Sequence, residues 1–236
     1  MTYFLQSGDC MELMERLDNN SIDLVLTDIP YNHVNRSSNG LRTLDKDDAD
    51  ILTFDLEAFA KEIFRVAKGS IYIFCEHFQL AELGAVFDKL KCSMRVCTWE
   101  KTNPSPMNGQ HIWLSSTESC LFIKKPGAVF NEHCQSAVWR ESVERSIKNH
   151  PTPKPVLLMK RLIEASSNPG DTVLDPCMGS ASVGLACLMS DREFIGYDIS
   201  LDYVTKASIR LSEFNKEDNP WKKKLDKRML AVSHNR

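Results

Sequence analysis

Several features are scarce in this chain, and each scarcity removes a class of protein. Glycine and proline number ten each in 236 residues, too few for a collagen-like or low-complexity chain. No apolar run approaches the eighteen or so residues of a membrane span, so none is expected. The opening MTYFLQSGDC shows no basic cluster ahead of an apolar stretch, and the expectation is a cytoplasmic protein. Eight cysteines lie between Cys10 and Cys187 without a CxxC pair, which reads as free thiols in a reducing compartment. Neither Cys92 and Cys97 nor the six histidines show zinc-finger spacing, and no structural metal is expected. The formal net charge of -3 argues against general adhesion to nucleic acid. Neither GxGxxG nor GxxxxGK[ST] occurs, which disfavours the dinucleotide and nucleoside-triphosphate readings.

What remains is a chain of globular composition, 42% hydrophobic and 26% charged, of a length that suits one large domain. Short apolar runs alternate with helix-period segments, the signature of an α/β domain with a mostly parallel sheet and helices on both faces. Seven strands are expected, at Tyr3–Ser7, Ile22–Thr27, Ser70–Cys75, Met94–Glu100, Glu118–Ile123, Thr172–Leu174 and Phe194–Tyr197. Helical faces are marked by Leu56, Phe59, Ala60, Ile63, Phe64 and Ala67, by Leu83, Val86, Phe87 and Leu90, and by Val204, Ala207, Leu211 and Phe214. Two stretches have no period: residues 32–53, polar and aspartate-rich, and 126–149, basic with aromatic interruptions. Loops of this length in a compact domain are usually functional.

Charge is unevenly placed. Residues 124–161 hold eight Lys/Arg against three Glu, and 200–236 hold nine against five acids, with the run Lys222, Lys223, Lys224 in the basic tail 216–236. Lys124, Lys125, Arg140, Arg145 and Lys148 are the candidates for phosphate or base contact, with Trp139 packing or wedging among them. A solvated surface is the bland alternative.

Two constellations carry chemistry. In the first, Thr172-Val-Leu-Asp175-Pro176-Cys177-Met178-Gly179-Ser180-Ala181-Ser182, a strand ends in a carboxylate and a small-residue loop opens a helix. Such a turn lets a ligand approach the backbone at the carboxyl edge of an open sheet. Asp198 closes the following strand, suited to ribose hydroxyls. In the second, the buried strand from Ile22 delivers Asp28-Ile29-Pro30-Tyr31. A carboxylate and an adjacent carbonyl can accept both hydrogens of an exocyclic amino group while a ring stacks on the base. An ordinary strand-to-loop turn is the competing account.

Taken in order, Asp28-Ile-Pro-Tyr31, His150-Pro-Thr-Pro-Lys-Pro155 and Asp175-Pro-Cys-Met-Gly-Ser-Ala181 resemble the three blocks of the beta group of DNA amino-methyltransferases. Ser7-Gly-Asp-Cys10 and Glu118–Lys124 resemble further blocks, so the likeness spans residues 3 to about 214. The resemblance implies a single Rossmann-like methyltransferase domain over 1–236 with circularly permuted motif order. S-adenosylmethionine is the implied cofactor and double-stranded DNA the implied partner, in a bacterial or phage-infected cell. It places Asp175 to Ser182 around the cofactor's methionine moiety, Asp198 on its ribose, and Asp9 with Cys10 beside its adenine. Thr152 and Lys154 are placed at its methionine end. Asp28, Ile29, Pro30 and Tyr31 serve the target base, and a short recognition segment over 124–149 implies a short site or a homodimer.

The chain departs from the family pattern at Ile29, Pro153, Cys177 and Ala181, the last tolerable only if φ stays negative there. Adenine N6 is the expected target, because N4-cytosine relatives more often begin the tetrapeptide with Ser. N4-cytosine transfer, a Cys177-dependent cytosine C5 mechanism and a non-catalytic DNA-binding relative are the alternatives.

Overall fold

The computed structural model describes residues 2–31, 52–106, 109–144, 153–214 and residue 227. Most of the 32–53 segment, residues 145–152 and nearly all of the basic tail lie outside these. The strands are β1 (Tyr3–Ser7), β2 (Ile22–Asp28), β3 (Ala67–Cys75), β4 (Ser93–Lys101), β5 (Thr117–Lys124), β6 (Val138–Glu141), β7 (Thr172–Asp175) and β8 (Glu193–Asp198). The helices are α1 (Cys10–Met14), α2 (Leu56–Val66), α3 (His77–Lys89), α4 (Val156–Ser166), α5 (Ser182–Leu188) and α6 (Leu201–Phe214).

All eight strands form one sheet in the order β1-β8-β7-β2-β3-β5-β4-β6. Only β5 runs against its neighbours, pairing antiparallel with both β3 and β4. The expected sheet therefore gains a strand: β6 lies within the stretch that showed no period and pairs with β4 through Thr98↔Val138 to Lys101↔Glu141. Trp139 is the reason this four-residue strand holds. It is buried, with Tyr72 and Phe74 at ring-centroid distances of 6.3 and 6.4 Å, so it packs rather than wedges.

Period-two alternation sorts the strands onto two cores. Leu24, Leu26, Tyr72 and Phe74 meet α4, α5 and α6 on one face, whereas Val25, Ile71 and Ile73 meet α1, α2 and α3 on the other. Asp55 caps α2 by accepting from the Ala58 N–H at 2.8 Å. Ala67, expected on that helix, instead begins β3 without a loop. Such an abrupt exit leaves helix carbonyls open. Lys125 Nζ fills them, donating to Phe64 O at 2.7 Å and Ala67 O at 2.5 Å, and to Asn20 Oδ1 at 2.9 Å.

The chain leaves β7 through α5 toward β8, and leaves β2 toward β3 on the opposite side. Their shared boundary is thus the point where strand order reverses, and open α/β sheets bind ligands in the crevice outside the carboxyl ends at such a point. Asp28 and Asp175 stand there. Among the described residues no helix is long and apolar enough to cross a membrane.

Candidate active site

The Ile29 N–H donates to Phe74 O at 3.2 Å, continuing the β2–β3 ladder one residue past Asp28. Gln79 Nε2 on α3 donates to Pro30 O at 2.7 Å and pins the turn from the other side. Tyr31 is thereby brought back over the strand end, where its hydroxyl donates to Asp28 Oδ1 at 3.1 Å. Lys154 joins them just before α4, with Nζ 2.5 Å from Asp28 Oδ2, 3.4 Å from the Tyr31 hydroxyl and 3.0 Å from Glu118 Oε2. Lys101 completes the group, 2.8 Å from Glu118 Oε1. Two carboxylates and two ammonium groups thus share one pocket, and 35% of the Asp28 side chain stays open to an incoming group.

Charge in this pocket is a contest between burial and pairing. Burial raises the Asp28 carboxyl above its ordinary range; Lys154 opposes the rise and Glu118 adds to it. Burial also opposes the charge on Lys154, yet Asp28 and Glu118 overcome it and hold the ammonium well above its usual value. Glu118 is buried too, and Lys154 and Lys101 hold it below the usual glutamate range. Tyr31 is a neutral phenol, raised chiefly by burial.

The second half of the crevice is built on β7 and β8. Asp175 Oδ1 accepts from Thr27 Oγ1 at 2.8 Å, which ties it to the strand carrying Asp28, and from the Cys177 N–H at 3.1 Å. The following loop is held to β8 by Met178 N donating to Tyr197 O at 2.9 Å and Gly179 N to Asp198 Oδ2 at 2.9 Å. Asp198 Oδ1 accepts from Ser200 N at 2.9 Å, and its carbonyl accepts from Gly8 N at 3.0 Å. Asp9 caps α1 through the Met11 N–H at 2.8 Å, with Cys10 the first helical residue. Gly196 lets the loop lie close, since a Cβ there would stand 2.5 Å from Met178 Sδ.

Gly179 and Ala181 both turn left-handed, at φ 46° and 57°, before α5 begins at Ser182. The expectation of negative φ at Ala181 fails: the chain carries a strained alanine where glycine would sit freely. The Ser180 carbonyl is fixed by Arg210 Nη1 at 2.5 Å, and Ser180 Oγ lies 3.4 Å from Ser182 Oγ.

Most expected residues therefore converge on one sheet edge: Asp9, Cys10, Asp28 to Tyr31, Asp175 to Ser182 and Asp198. Lys154 converges too, but on Asp28, not on the cofactor loop. Lys124 and Lys125 do not converge. Register partners Ser70 and Ser93 place Lys124 at the opposite end of β5 from Glu118, about 20 Å away at 3.3 Å per residue, and Lys125 is engaged by α2. Arg140 is exposed on β6 and pairs with Glu100 at 2.9 Å. Arg145, Lys148 and Thr152 lie outside the described residues. Cys177 lies in the cofactor-side loop, and its neighbour Cys10 and burial push the thiol well above the usual range, which disfavours the C5-type mechanism. Glu118 and Lys101 were not anticipated, although an acid opening an apolar strand was a visible signal.

The donor set suits S-adenosylmethionine. Among the described residues no lysine or arginine pairs with Asp9 or Asp175, so neither carboxyl has a side-chain cation beside it, which suits a ligand that brings a sulfonium, an ammonium and ribose hydroxyls. Comparison with known proteins points the same way. Residues 22–209 match the N6/N4 methyltransferase family model, described as DNA methylase. The type II methyltransferase M2.MboI of Moraxella bovis is 28% identical over 97% of this chain and 94% of its own. M.HinfI of Haemophilus influenzae is 29% identical, covering 90% of this chain and 69% of its own. The solved M1.HpyAVI–SAM complex superposes with a TM-score of 0.69 at 29% identity, over 89% of this chain and all of that one. The cytosine-N4-specific PvuII methyltransferase shares the fold, with a TM-score of 0.72 at 18% identity, over 96% of this chain and 91% of that one.

Proposed function

The chain belongs to the N6/N4 DNA methylase family, an S-adenosylmethionine-dependent DNA methyltransferase, and we propose that its target is the N6 amino group of adenine. The observation that carries this reading is the convergence of Asp28, Tyr31, Lys154 and Glu118 at the mouth of β2, with Thr27 bonded to Asp175 of the neighbouring loop at 2.8 Å. That link sets the groups assigned to the base beside the loop assigned to the cofactor.

The amino nitrogen of a base is a weak nucleophile because its lone pair is conjugated into the ring. Asp28 and the Ile29 carbonyl accept its two hydrogens and stabilise the positive charge that grows on nitrogen, an electrostatic contribution made by groups already in place. Tyr31 stacks on the extruded base and fixes the attack direction. The bound cofactor supplies a methyl group activated by its sulfonium. Asp175 to Ser182 hold its methionine end, Asp198 its ribose, and Asp9 with Cys10 its adenine. Thr152 completes the methionine end in this reading.

The same reading takes 1–236 as one methyltransferase domain working in the cytoplasm. Recognition is assigned within 124–149 to Arg140, Arg145 and Lys148, and not to Lys124 and Lys125 at the far end of β5; so small a segment suits a short site or two copies acting together. Incubation with labelled cofactor and unmethylated genomic DNA, followed by nucleoside digestion and mass spectrometry, tests the target. N6-methyladenine is expected; N4-methylcytosine as the sole product overturns the adenine assignment.

A further inference from the structure

Three consecutive apolar residues at the catalytic edge of the sheet are exposed to solvent, most of all the middle one. Ile112, Trp113 and Leu114 are 67%, 96% and 41% exposed, in the connection between β4 and β5, three to five residues before β5 begins. Isolated exposed apolar side chains are ordinary, but a contiguous patch built around a fully open tryptophan marks a contact surface.

The connection is held at its base. Lys101 N donates to Ser116 O at 2.7 Å, Ser116 N to Leu114 O at 2.8 Å, and Gly109 N to Pro106 O at 3.1 Å. Gly109 lets Leu114 lie close, since a Cβ there would stand 2.6 Å from Leu114 Cδ2 and push that side chain aside. The anchoring residues belong to the pocket already described: Lys101 binds Glu118, which binds Lys154, which binds Asp28. Trp113 lies four residues before Thr117, hence within about 14 Å of the start of β5 at the reach of an extended chain. From Gln110 to Ser116 the segment carries no Lys, Arg, Asp or Glu, so it is not built to meet phosphates.

A base that reaches Asp28 must leave the duplex, and it leaves a gap in the stack. Apolar or aromatic wedges fill such gaps and offset the loss of stacking. We propose that Trp113, with Ile112 and Leu114 beside it, enters the target duplex and occupies the space vacated by the extruded base, an inference that rests on the proposed function.

Mapping the base methylated by the wild-type enzyme in genomic DNA comes first; a protein that methylates no DNA overturns the proposed function and this inference with it. Two synthetic duplexes then carry the mapped site, one fully paired and one mismatched opposite the target base. Trp113→Ala should lower kcat/KM about tenfold or more on the paired duplex, the scale of one lost stacking contact, and under about threefold on the mismatched one. Trp113→Phe should retain most activity on both. Cofactor affinity and the melting temperature should not move, since the side chain touches little of its own chain. Equal losses on the two duplexes, or no loss on either, overturn the wedge. So does a loss that accompanies conversion of a dimer to a monomer in sedimentation, which would give the patch to a second copy.

Discussion

Lowering the pH from 8 to 6 should weaken binding of S-adenosylmethionine about tenfold, through one carboxyl group. Burial pushes Asp175 up to about 7, with Asp28 and Asp198 adding to the rise and the bonds from Thr27 and the Cys177 N–H opposing it. At pH 6 about nine in ten ligand-free molecules then carry a proton there, and at pH 8 about one in ten. A cofactor that brings an ammonium and a sulfonium into the crevice favours the ionised form, so binding at pH 6 must expel that proton. The cost over this interval is about 1.4 kcal/mol, one factor of ten. Calorimetry at pH 6 in buffers of different ionisation enthalpy should show release of about 0.9 proton per cofactor bound. Asp175→Asn should bind more weakly at pH 8 and lose the pH dependence. The linkage has a second face in the ligand-free protein. The folded-state value lies above the unfolded one, so the native state binds the extra proton, and this group's contribution to stability falls as pH rises from about 4 to about 7. The difference in melting temperature between wild type and Asp175→Asn should change across that window. Affinity constant between pH 6 and 8, or an asparagine variant with the parent's pH dependence, would refute the reasoning.

Asp28→Ala should abolish methyl transfer while leaving cofactor affinity within about twofold, because Glu118 at 3.0 Å keeps Lys154 paired and the cofactor loop is untouched; normal turnover would remove Asp28 from the chemistry. Asp198→Ala should weaken the cofactor about ten- to a hundredfold, measured by calorimetry, since it removes both the expected ribose contact and the acceptors of Gly179 N and Ser200 N. Lys125→Met should cost about 1 to 3 kcal/mol in denaturant unfolding and leave the salt dependence of DNA binding unchanged, whereas Arg140→Gln should flatten the slope of log affinity against log salt by about 0.9; the opposite pattern would return Lys125 to the DNA interface.

Which parts of the fold could be read from the sequence follows from where the information lies. Seven strands were legible because each is a short run rich in apolar residues, although β1 and β4 bury few of theirs, and α2, α3 and α6 because their apolar positions repeat at helical spacing. The strand β6 was not: Val138-Trp-Arg-Glu141 sits in basic, aperiodic surroundings and becomes a strand only by pairing with β4. Five-residue α1 is too short to show a period. The motif residues of the site were legible one block at a time, whereas Glu118 and Lys101 become partners only because β4 and β5 fold back in the register Glu100↔Thr117. Lys125 misled for a related reason. A lysine in a basic run looks like a DNA contact until the carbonyls left open by an abrupt helix exit are known.

The position of Lys154 explains how Asp28 can do the work assigned to it. Two carboxylates in one partly dry pocket raise each other's proton affinity, and Asp28 is the first to be neutralised, because burial and Glu118 push it the same way. A protonated Asp28 would offer a donor where the amino group of the base needs an acceptor. Lys154 contacts both acids, at 2.5 and 3.0 Å, and Lys101 takes the remaining oxygen of Glu118 at 2.8 Å. Two positive charges thus match two negative ones, and a neutral cluster tolerates burial far better than an acidic pair. The arrangement also limits Asp28: an ammonium on Oδ2 competes with the amino group for the same carboxylate. Oδ1, bonded only weakly to Tyr31 at 3.1 Å, is therefore the oxygen left to receive the base. Lys154, from the second motif block, acts through the target side of the crevice, and the cofactor's methionine end depends on Asp175 and its loop.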